Sequence, residues 1–312
     1  MNYCLFKLNF STPLHIGDSS SARSLETQTL SLCADTLFSA LCHAVPEKID
    51  MLSSAVKSDK LLISDAFPFK KDVLYVPKPC MLPQNNRQSN SQSSAEKKKM
   101  KKLKYIPVSM LDDFFRSIKG EKDFSPDNAD NDFGKENVVT RVGIRGNDEP
   151  EPYSVASYSF NQDCGLYFIA CSDDNGILET LKFAVTVLGL EGVGGKISSG
   201  YGKFACTPCA VPPKFKELLC ASGTDYISLT SSLPGDDELE TAMDGAYYSM
   251  IRRGGFVYSP EIGETVKKET QFFFASGSVF KTKYKGALYN VYKGGKHPVY
   301  RYAKPIFMGV SV

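Results

Sequence analysis

The stretch Gly192-Val-Gly-Gly-Lys-Ile-Ser-Ser-Gly-Tyr-Gly-Lys-Phe204 is the part of the chain that decides the fold. It has five glycines in its first eleven positions, and it lies between an apolar segment with helical spacing and a short strand pattern. A nucleotide-binding P-loop or dinucleotide fingerprint requires a strand before the loop and a helix after it, so the order found here excludes both.

Glycine allows close backbone approach and positive φ, and successive amide groups in such a loop form a nest that binds anions. We therefore predict a clamp on the phosphates of a nucleic acid, and the alternative is a glycine-rich connection without a ligand. The residues predicted to take part in binding are Gly194, Gly195, Lys196, Ser198, Ser199, Gly200, Tyr201, Gly202 and Lys203.

The elements around this loop indicate an α+β protein. The pattern of residues 1–208 predicts the order β-α-β-β-hairpin-β-α-β, with Asp35 or Ser31 capping a first helix that begins near Ala34. Pro208–Pro213 is predicted to be a linker, and residues 209–312 are predicted to hold a second, strand-rich domain that ends in one strand over 299–310.

Composition limits the class of protein. The chain has 312 residues, 42% of them hydrophobic, with a net charge of +2, which is typical of a globular protein. Charge is polarised, because 245–312 carries 11 basic against 3 acidic residues while 105–165 carries 6 against 12. A basic C-terminal quarter favours a polyanionic partner. The absence of a long apolar run and nine scattered cysteines predict a cytoplasmic protein.

Two further segments contain candidate RNA-binding residues. Arginines beside glycines and an aromatic ring suit backbone contact and base stacking, although a solvated turn is the alternative; these residues are Arg252, Arg253, Gly254, Gly255 and Phe256. His15 follows the first strand and is predicted to contact RNA, with a general base or a structural role as alternatives. Arg23, in the polar loop after it, is also predicted to contact RNA.

Two segments look like additions to the first domain. Residues 84–104 are polar and then lysine-rich, which predicts a mobile loop that is either a solvated insertion or a flap on RNA phosphates. Residues 137–160 form two alternating runs about a turn, which predicts a long hairpin. Arg141 and Arg145 would share one face of it and contact RNA, or else pair with the acidic residues 121–136.

No metal or cofactor site is predicted. The pair Cys206 and Cys209 lacks the two further ligands that a structural zinc ion requires.

Several segments, taken in order, resemble the RAMP superfamily of CRISPR RNA-binding proteins. They are Phe10-Ser-Thr-Pro-Leu-His-Ile-Gly17, Ala34-Asp-Thr-Leu-Phe-Ser-Ala-Leu41, the glycine-rich stretch, Lys101-Lys-Leu-Lys-Tyr-Ile-Pro107, Gly277-Ser-Val-Phe280, and His297-Pro-Val-Tyr300 with Lys304-Pro305. Within that superfamily the chain is most similar to the subunit of type III-A antiviral effectors that binds the 5′ handle of the CRISPR RNA.

The resemblance implies two RRM-like (ferredoxin-like) domains, with the hairpin as a thumb that projects from the first. It implies binding of the 5′ handle and docking against a large polymerase-like subunit and a backbone RAMP subunit. It also implies that the chain has no nuclease activity. The alternatives are a metal-independent endoribonuclease of the same superfamily, with His15 as its base, and an unrelated double-RRM protein.

Overall fold

The computed structural model describes residues 2–17, 23–81, 94–143, 149–257, 266–295 and 297–311. In chain order its strands and helices are β1 (Asn2–Phe10), α1 (Ala34–Ala44), α2 (Ile49–Lys57), β2 (Leu62–Ile63), β3 (Phe67–Lys70), β4 (Val73–Pro77), α3 (Ser94–Lys102), β5 (Tyr105–Pro107), α4 (Leu111–Lys119), β6 (Gly134–Gly143), β7 (Glu151–Phe160), β8 (Cys164–Ser172), α5 (Asn175–Glu191), β9 (Phe204–Ala210), α6 (Pro213–Cys220), β10 (Asp225–Ser228), α7 (Leu239–Met243), β11 (Met250–Arg253), β12 (Gln271–Phe274), β13 (Val279–Phe280), β14 (Leu288–Asn290), β15 (Tyr300–Tyr302) and β16 (Phe307–Val310). The protein is therefore of the mixed α+β class.

The largest sheet is antiparallel and has β1 near its centre. Its strand order is β5-β4-β3-β8-β1-β9, and β2 also pairs with β8. Alternation along β1 sends Phe6 and Leu8 to one face and Leu5 to the other, so both faces are buried. Helices α1 and α5 cover the first face, where Phe6 stacks on Phe168 with ring centroids 4.8 Å apart.

The C-terminal part contains a smaller antiparallel sheet. Strand β10 lies between β13 and β16, and two separate strand pairs, β11–β12 and β14–β15, flank that sheet. The second face of the large sheet shares one apolar core with this part, because Leu5 and Tyr167 belong to the same cluster as Ile227 and Met308.

The first helix is capped from a distance. The N-cap residue of α1 is Cys33, not Asp35 or Ser31, and its side chain makes no capping bond, although Asp35 Oδ1 accepts from the Thr36 amide of the first turn at 2.7 Å. Instead, the Ala34 amide donates to Oδ1 of buried Asp65, 2.8 Å away. The same carboxylate accepts from the amide and hydroxyl of Ser231, at 3.0 and 2.6 Å, so it joins α1 to the C-terminal part.

Three other segments differ from their sequence predictions. The predicted linker is strand as far as Ala210, and α6 begins at Pro213, a proline position that suits a helix start. The single strand predicted over 299–310 is interrupted after Tyr302 and resumes at Phe307 as β16. Within the predicted loop 84–104, residues 94–102 form helix α3, whereas residues 84–93 lie outside the described residues.

Candidate nucleic-acid interface

The hairpin β6–β7 contacts the glycine-rich loop through two pairs of basic and aromatic side chains. The Arg141 guanidinium donates to the Tyr201 hydroxyl at 3.1 Å and lies 5.4 Å from the centre of its ring. The Lys196 ammonium lies 4.9 Å from the ring centre of Tyr153, which is the residue opposite Arg141 in the hairpin. Each contact is a cation–π interaction. We call this assembly of hairpin and loop the hairpin–loop surface.

His15 is buried under the hairpin–loop surface and contacts both the hairpin and the loop. It is only 4% exposed, and its Nδ1 lies 2.7 Å from the carbonyl oxygen of Ala156 in β7. Its own carbonyl accepts from the Gly195 amide at 2.8 Å. The His15 ring therefore contacts the hairpin and its backbone carbonyl contacts the loop, and the ring is not open to solvent.

Most of the loop glycines are required by packing. A Cβ on Gly202, whose φ is +74°, would lie 2.0 Å from the carbonyl oxygen of Val193. A Cβ on Gly194 would lie 2.4 Å from the His15 carbonyl oxygen, and one on Gly195 would lie 2.6 Å from the His15 ring. Gly200 differs, because its φ is +83° but no atom lies within 4 Å of the added carbon.

Several backbone amides of the loop already donate hydrogen bonds to carbonyl groups of the protein. The Val193 amide donates to Gly202, the Gly202 amide to Pro13, and the Gly200 amide to Ile197, at 2.8–3.0 Å. The exposed polar groups of this loop are side chains, namely those of Ser198, Ser199 and Lys203. The geometry therefore favours phosphate contact by hydroxyl and ammonium groups more than by a nest of amides.

Of the two remaining predicted residues of this region, Arg23 lies in a turn beside the hairpin. Arg23 is exposed and its guanidinium lies 3.8 Å from Glu26. The turn that begins at Arg23 lies beside β7, since the Leu25 carbonyl accepts from the Ala156 amide. Arg145 lies outside the described residues. Two of the acidic residues in 121–136 have other partners, since Asp127 pairs with Lys99 and Asp130 with Lys70, while Arg141 donates to Tyr201.

The two neighbouring arginines of β11 lie on opposite faces of the strand and have different surroundings. Arg253 makes a bidentate ion pair with Asp35, at 2.9 and 2.6 Å, and donates to the Thr36 hydroxyl at 2.7 Å. Both partners of this ion pair are largely buried. Arg252 is exposed. The structure therefore gives Arg253 a role in holding β11 against α1, and it leaves Arg252 on the surface.

A groove lies between β11 and the N-terminal part of the chain. Its volume is about 590 Å³, and it is lined on one side by Ile16, Gly17 and Lys104, and on the other by Ser249 and Arg252. Hydroxyl groups supply much of its polar lining, including those of Thr29, Ser31 and Ser276. Gly254, Gly255 and Phe256 follow directly after β11, and Phe256 is 62% exposed.

Sequence reasoning missed two aromatic residues of these surfaces. Tyr153 was not singled out because its position opposite Arg141 depends on the register of the hairpin. Phe272 is 55% exposed and lies opposite Arg252 in the β11–β12 pair. The signal for it was the run Gln271-Phe-Phe-Phe274, in which strand alternation sends successive rings to opposite faces.

The side chains of Cys206 and Cys209 lie on opposite faces of β9. The two cysteines are three residues apart and contact different cores. Within the ranges that the structure describes, no three histidine, cysteine or acidic side chains group together as metal ligands would. In the same ranges, every helix is too short or too polar to cross a lipid bilayer.

The chain is similar to known proteins over its whole length. The family model described as CRISPR Csm4 C-terminal domain matches residues 221–310. A Mycobacterium tuberculosis H37Rv protein named CRISPR system Cms protein Csm4 is 32% identical, covering 99% of this chain and 98% of its own. The protein of the same name from Streptococcus thermophilus is 30% identical over the full length of both chains.

Solved structures show the same fold. A chain in the Csm3–Csm4 subcomplex of the type III-A CRISPR-Cas interference complex matches with a TM-score of 0.66 at 17% identity, covering 99% of both chains. A chain of the Csm1–Csm4 cassette in complex with pppApA matches with a TM-score of 0.64 at 18% identity, covering 99% of this chain and 97% of that one. The resemblance to RAMP proteins is confirmed, and the chain belongs to the Csm4 family of CRISPR proteins.

Proposed function

We propose that the chain is a non-catalytic subunit of a type III-A CRISPR effector, in which it binds the 5′ repeat-derived handle of the CRISPR RNA. The proposal includes docking against a large polymerase-like subunit and a backbone RAMP subunit. Membership of the Csm4 family supports it, as do the names of the structural relatives, which belong to Csm1–Csm4 and Csm3–Csm4 assemblies.

The strand order supports two RRM-like domains, for which we propose the boundaries 1–208 and 209–312. Taken as β9-β1-β8-β3, the core of the large sheet has the order of a β-α-β-β-α-β unit, with α1 and α5 on one face. The smaller sheet has its first strand, β10, between its last strand and a middle one, as in the large sheet. RRM-like sheets commonly bind single-stranded RNA.

The observation that carries the proposal is the hairpin–loop surface. Two cation–π contacts join the hairpin to the loop, and exposed Lys203, Ser198 and Ser199 lie in the same loop. Basic groups bind phosphates and aromatic faces stack on unpaired bases, so the combination suits single-stranded RNA. In this proposal the hairpin is the thumb that holds the guide where the handle meets the spacer.

The surroundings of His15 support the non-catalytic part of the proposal. A general base must come within about 3 Å of the proton that it removes. The His15 ring is buried, and one of its nitrogens is hydrogen-bonded to the Ala156 carbonyl. We therefore expect repeat RNA to stay intact when it is incubated with the purified chain without metal, and clean cleavage would instead support the endoribonuclease alternative.

The test of RNA binding is a change in salt dependence. In the reconstituted complex, Lys196→Gln with Lys203→Gln is expected to lower the log–log salt slope of handle binding by about 1.4, because each lost phosphate contact with single-stranded RNA contributes about 0.7. The control is Lys48→Gln with Lys60→Gln, two exposed lysines elsewhere on the chain. Equal slopes for the two double variants would contradict the proposal.

A further inference from the structure

A second basic surface lies beside the groove, on a helix that the proposed handle contacts do not involve. Helix α3 and the two residues after it, 94–104, contain six lysines and one glutamate. The side chains of Lys98, Lys101 and Lys102 are exposed. Their spacing of three and four residues places them on one face of the helix, where neighbouring Cβ atoms lie about 5–6 Å apart.

The opposite side of α3 is fixed to the rest of the protein. Met100 packs against the core that also contains Leu103, and the Lys78 ammonium donates to the Met100 carbonyl at 2.8 Å. Lys99 points elsewhere and pairs with Asp127 at 2.7 Å. The helix therefore presents Lys98, Lys101 and Lys102 from a defined position, and Lys99 has an acidic partner in Asp127.

The helix leads directly into the groove. Lys104, two residues beyond the end of α3, is exposed and lines the groove together with Tyr105. Pro77, at the end of the strand that pairs with β5, lines the same wall. Lys104 and Arg252 thus both line this groove, and α3 ends two residues before Lys104.

Exposed apolar groups lie beside Arg252 on the pair β11–β12, and one of them, Met250, lines the groove. Phe272 and Met250 are 55% and 53% exposed on the pair β11–β12, and Arg252 lies directly opposite Phe272. A guanidinium beside an exposed ring is an arrangement that stacks on unpaired bases. No acidic side chain lines the groove among the described residues, as expected for a site that takes a polyanion.

We propose that α3 and the groove form a second contact surface for single-stranded RNA, separate from the hairpin–loop surface. Lys98, Lys101, Lys102 and Lys104 contact successive phosphates, and a base stacks on Phe272 beside Arg252. Pro13 and His15 bond to the glycine loop, and the next two residues, Ile16 and Gly17, line the groove, so consecutive residues join the two surfaces. This inference rests on the proposed function, because it takes the same CRISPR RNA as the ligand.

The test compares matched charge variants of the full chain. Lys98→Gln, Lys101→Gln and Lys102→Gln are combined in one variant, and Lys48→Gln, Lys60→Gln and Lys216→Gln in its control, so that both lose three exposed positive charges. The probe is a fluorescent single-stranded RNA with the repeat-derived handle followed by spacer sequence. The α3 variant is expected to lower the log–log salt slope by about 2, and the control to leave it unchanged.

A second measurement locates the contact. In the reconstituted effector, backbone footprinting of the CRISPR RNA is expected to lose protection at a few consecutive nucleotides in the α3 variant, and at one adjacent base in Phe272→Ser. Those nucleotides are expected to differ from the ones exposed by Lys196→Gln with Lys203→Gln.

Each other outcome is decisive. An unchanged slope and footprint in the α3 variant, with a reduced slope in the Lys196 and Lys203 variant, would overturn this inference and leave the proposed function standing. Unchanged slopes in both would overturn the two together. Loss of another subunit from the effector with the RNA footprint intact would show that α3 is a protein contact, which also overturns the inference.

Discussion

The chain has two glycine-rich basic segments, and their glycines serve different purposes. In the loop 192–202, Gly194, Gly195 and Gly202 have no room for a Cβ, because carbonyl oxygens or the His15 ring occupy the space. After β11, Gly255 has a φ of +114° but no atom within 4 Å of an added carbon, and Gly254 has only an ordinary contact. Similar composition therefore gives a packed connection in one place and an open surface in the other.

The largest effect on stability is expected when a side chain is added to a glycine in the packed loop. Gly202→Val should lower the free energy of unfolding by about 4 kcal/mol, because it combines a strained positive φ with a clash against the Val193 backbone. Gly200→Ala is the control, with a φ of similar sign in open space, and should cost about 1 kcal/mol. Urea denaturation of the two variants measures the difference, and equal losses would show that packing does not distinguish the two glycines.

The adjacent arginines of β11 give the next largest effect. Arg253→Ala should destabilise the protein by about 2–3 kcal/mol, because it leaves the Asp35 carboxylate largely buried without its bidentate partner. The loss is limited because Arg301 remains 4.0 Å from the same carboxylate. Arg252→Ala should change stability by less than about 0.5 kcal/mol, as is usual for exposed positions.

Thermal unfolding of both single variants tests this difference. If Arg252→Ala lowers the stability as much as Arg253→Ala does, the Arg252 side chain makes stabilising contacts on the exposed face of β11. The comparison between packed and open segments would then have to be revised.

The smallest effect concerns the buried carboxylate of Asp65, which caps α1. Burial raises the pKa of Asp65 above its ordinary value of 3.8, although hydrogen bonds from Ser231 and Ala34 oppose the rise. The folded protein then binds this proton more tightly than the unfolded chain does. The stabilising contribution is complete below about pH 3.8, and it is lost as the pH rises through the raised pKa.

Asp65→Asn should remove that pH dependence, because an amide does not titrate and keeps an acceptor for the Ala34 amide. Relative to the parent, the variant should become more stable on passing from pH 4 to pH 7, because the parent loses the contribution of the raised Asp65 pKa over that range. Unfolding free energies measured across this range check the difference. Parallel curves for the two proteins would show that the Asp65 pKa is not raised.

The order of elements in the first part of the chain could be predicted from the sequence, because it depends on local periodicity. Alternation identified β1 and the buried strand β8, and helical spacing identified α1 and α5. Helices α2 and α6 were missed because they are short and their apolar positions are few. Helix α3 was missed because its lysine-rich composition reads as a solvated segment and its anchoring residues, Met100 and Leu103, lie beside charges.

The site was less predictable, because its contacts join residues that are far apart in the chain. Alternation in β11 implies that Arg252 and Arg253 face opposite ways, but it does not indicate which face is covered by Asp35, 218 residues away. Burial of His15 likewise depends on the positions of Ala156 and Gly195. The glycine loop was located correctly as a segment, whereas the packing of most of its glycines required the tertiary structure.

The central position of β1 has a consequence for synthesis on the ribosome. Residues 2–10 pair with 164–172 and 204–210, so β1 is completed on both edges only after about two hundred further residues have been added. At about 5–20 residues per second this takes roughly 10–40 s. During that interval Leu5, Phe6 and Leu8 lack the partners that later bury them. An apolar strand whose edges stay unpaired is a template for pairing with other chains, so the late arrival of β8 and β9 lengthens the time in which β1 is open to aggregation.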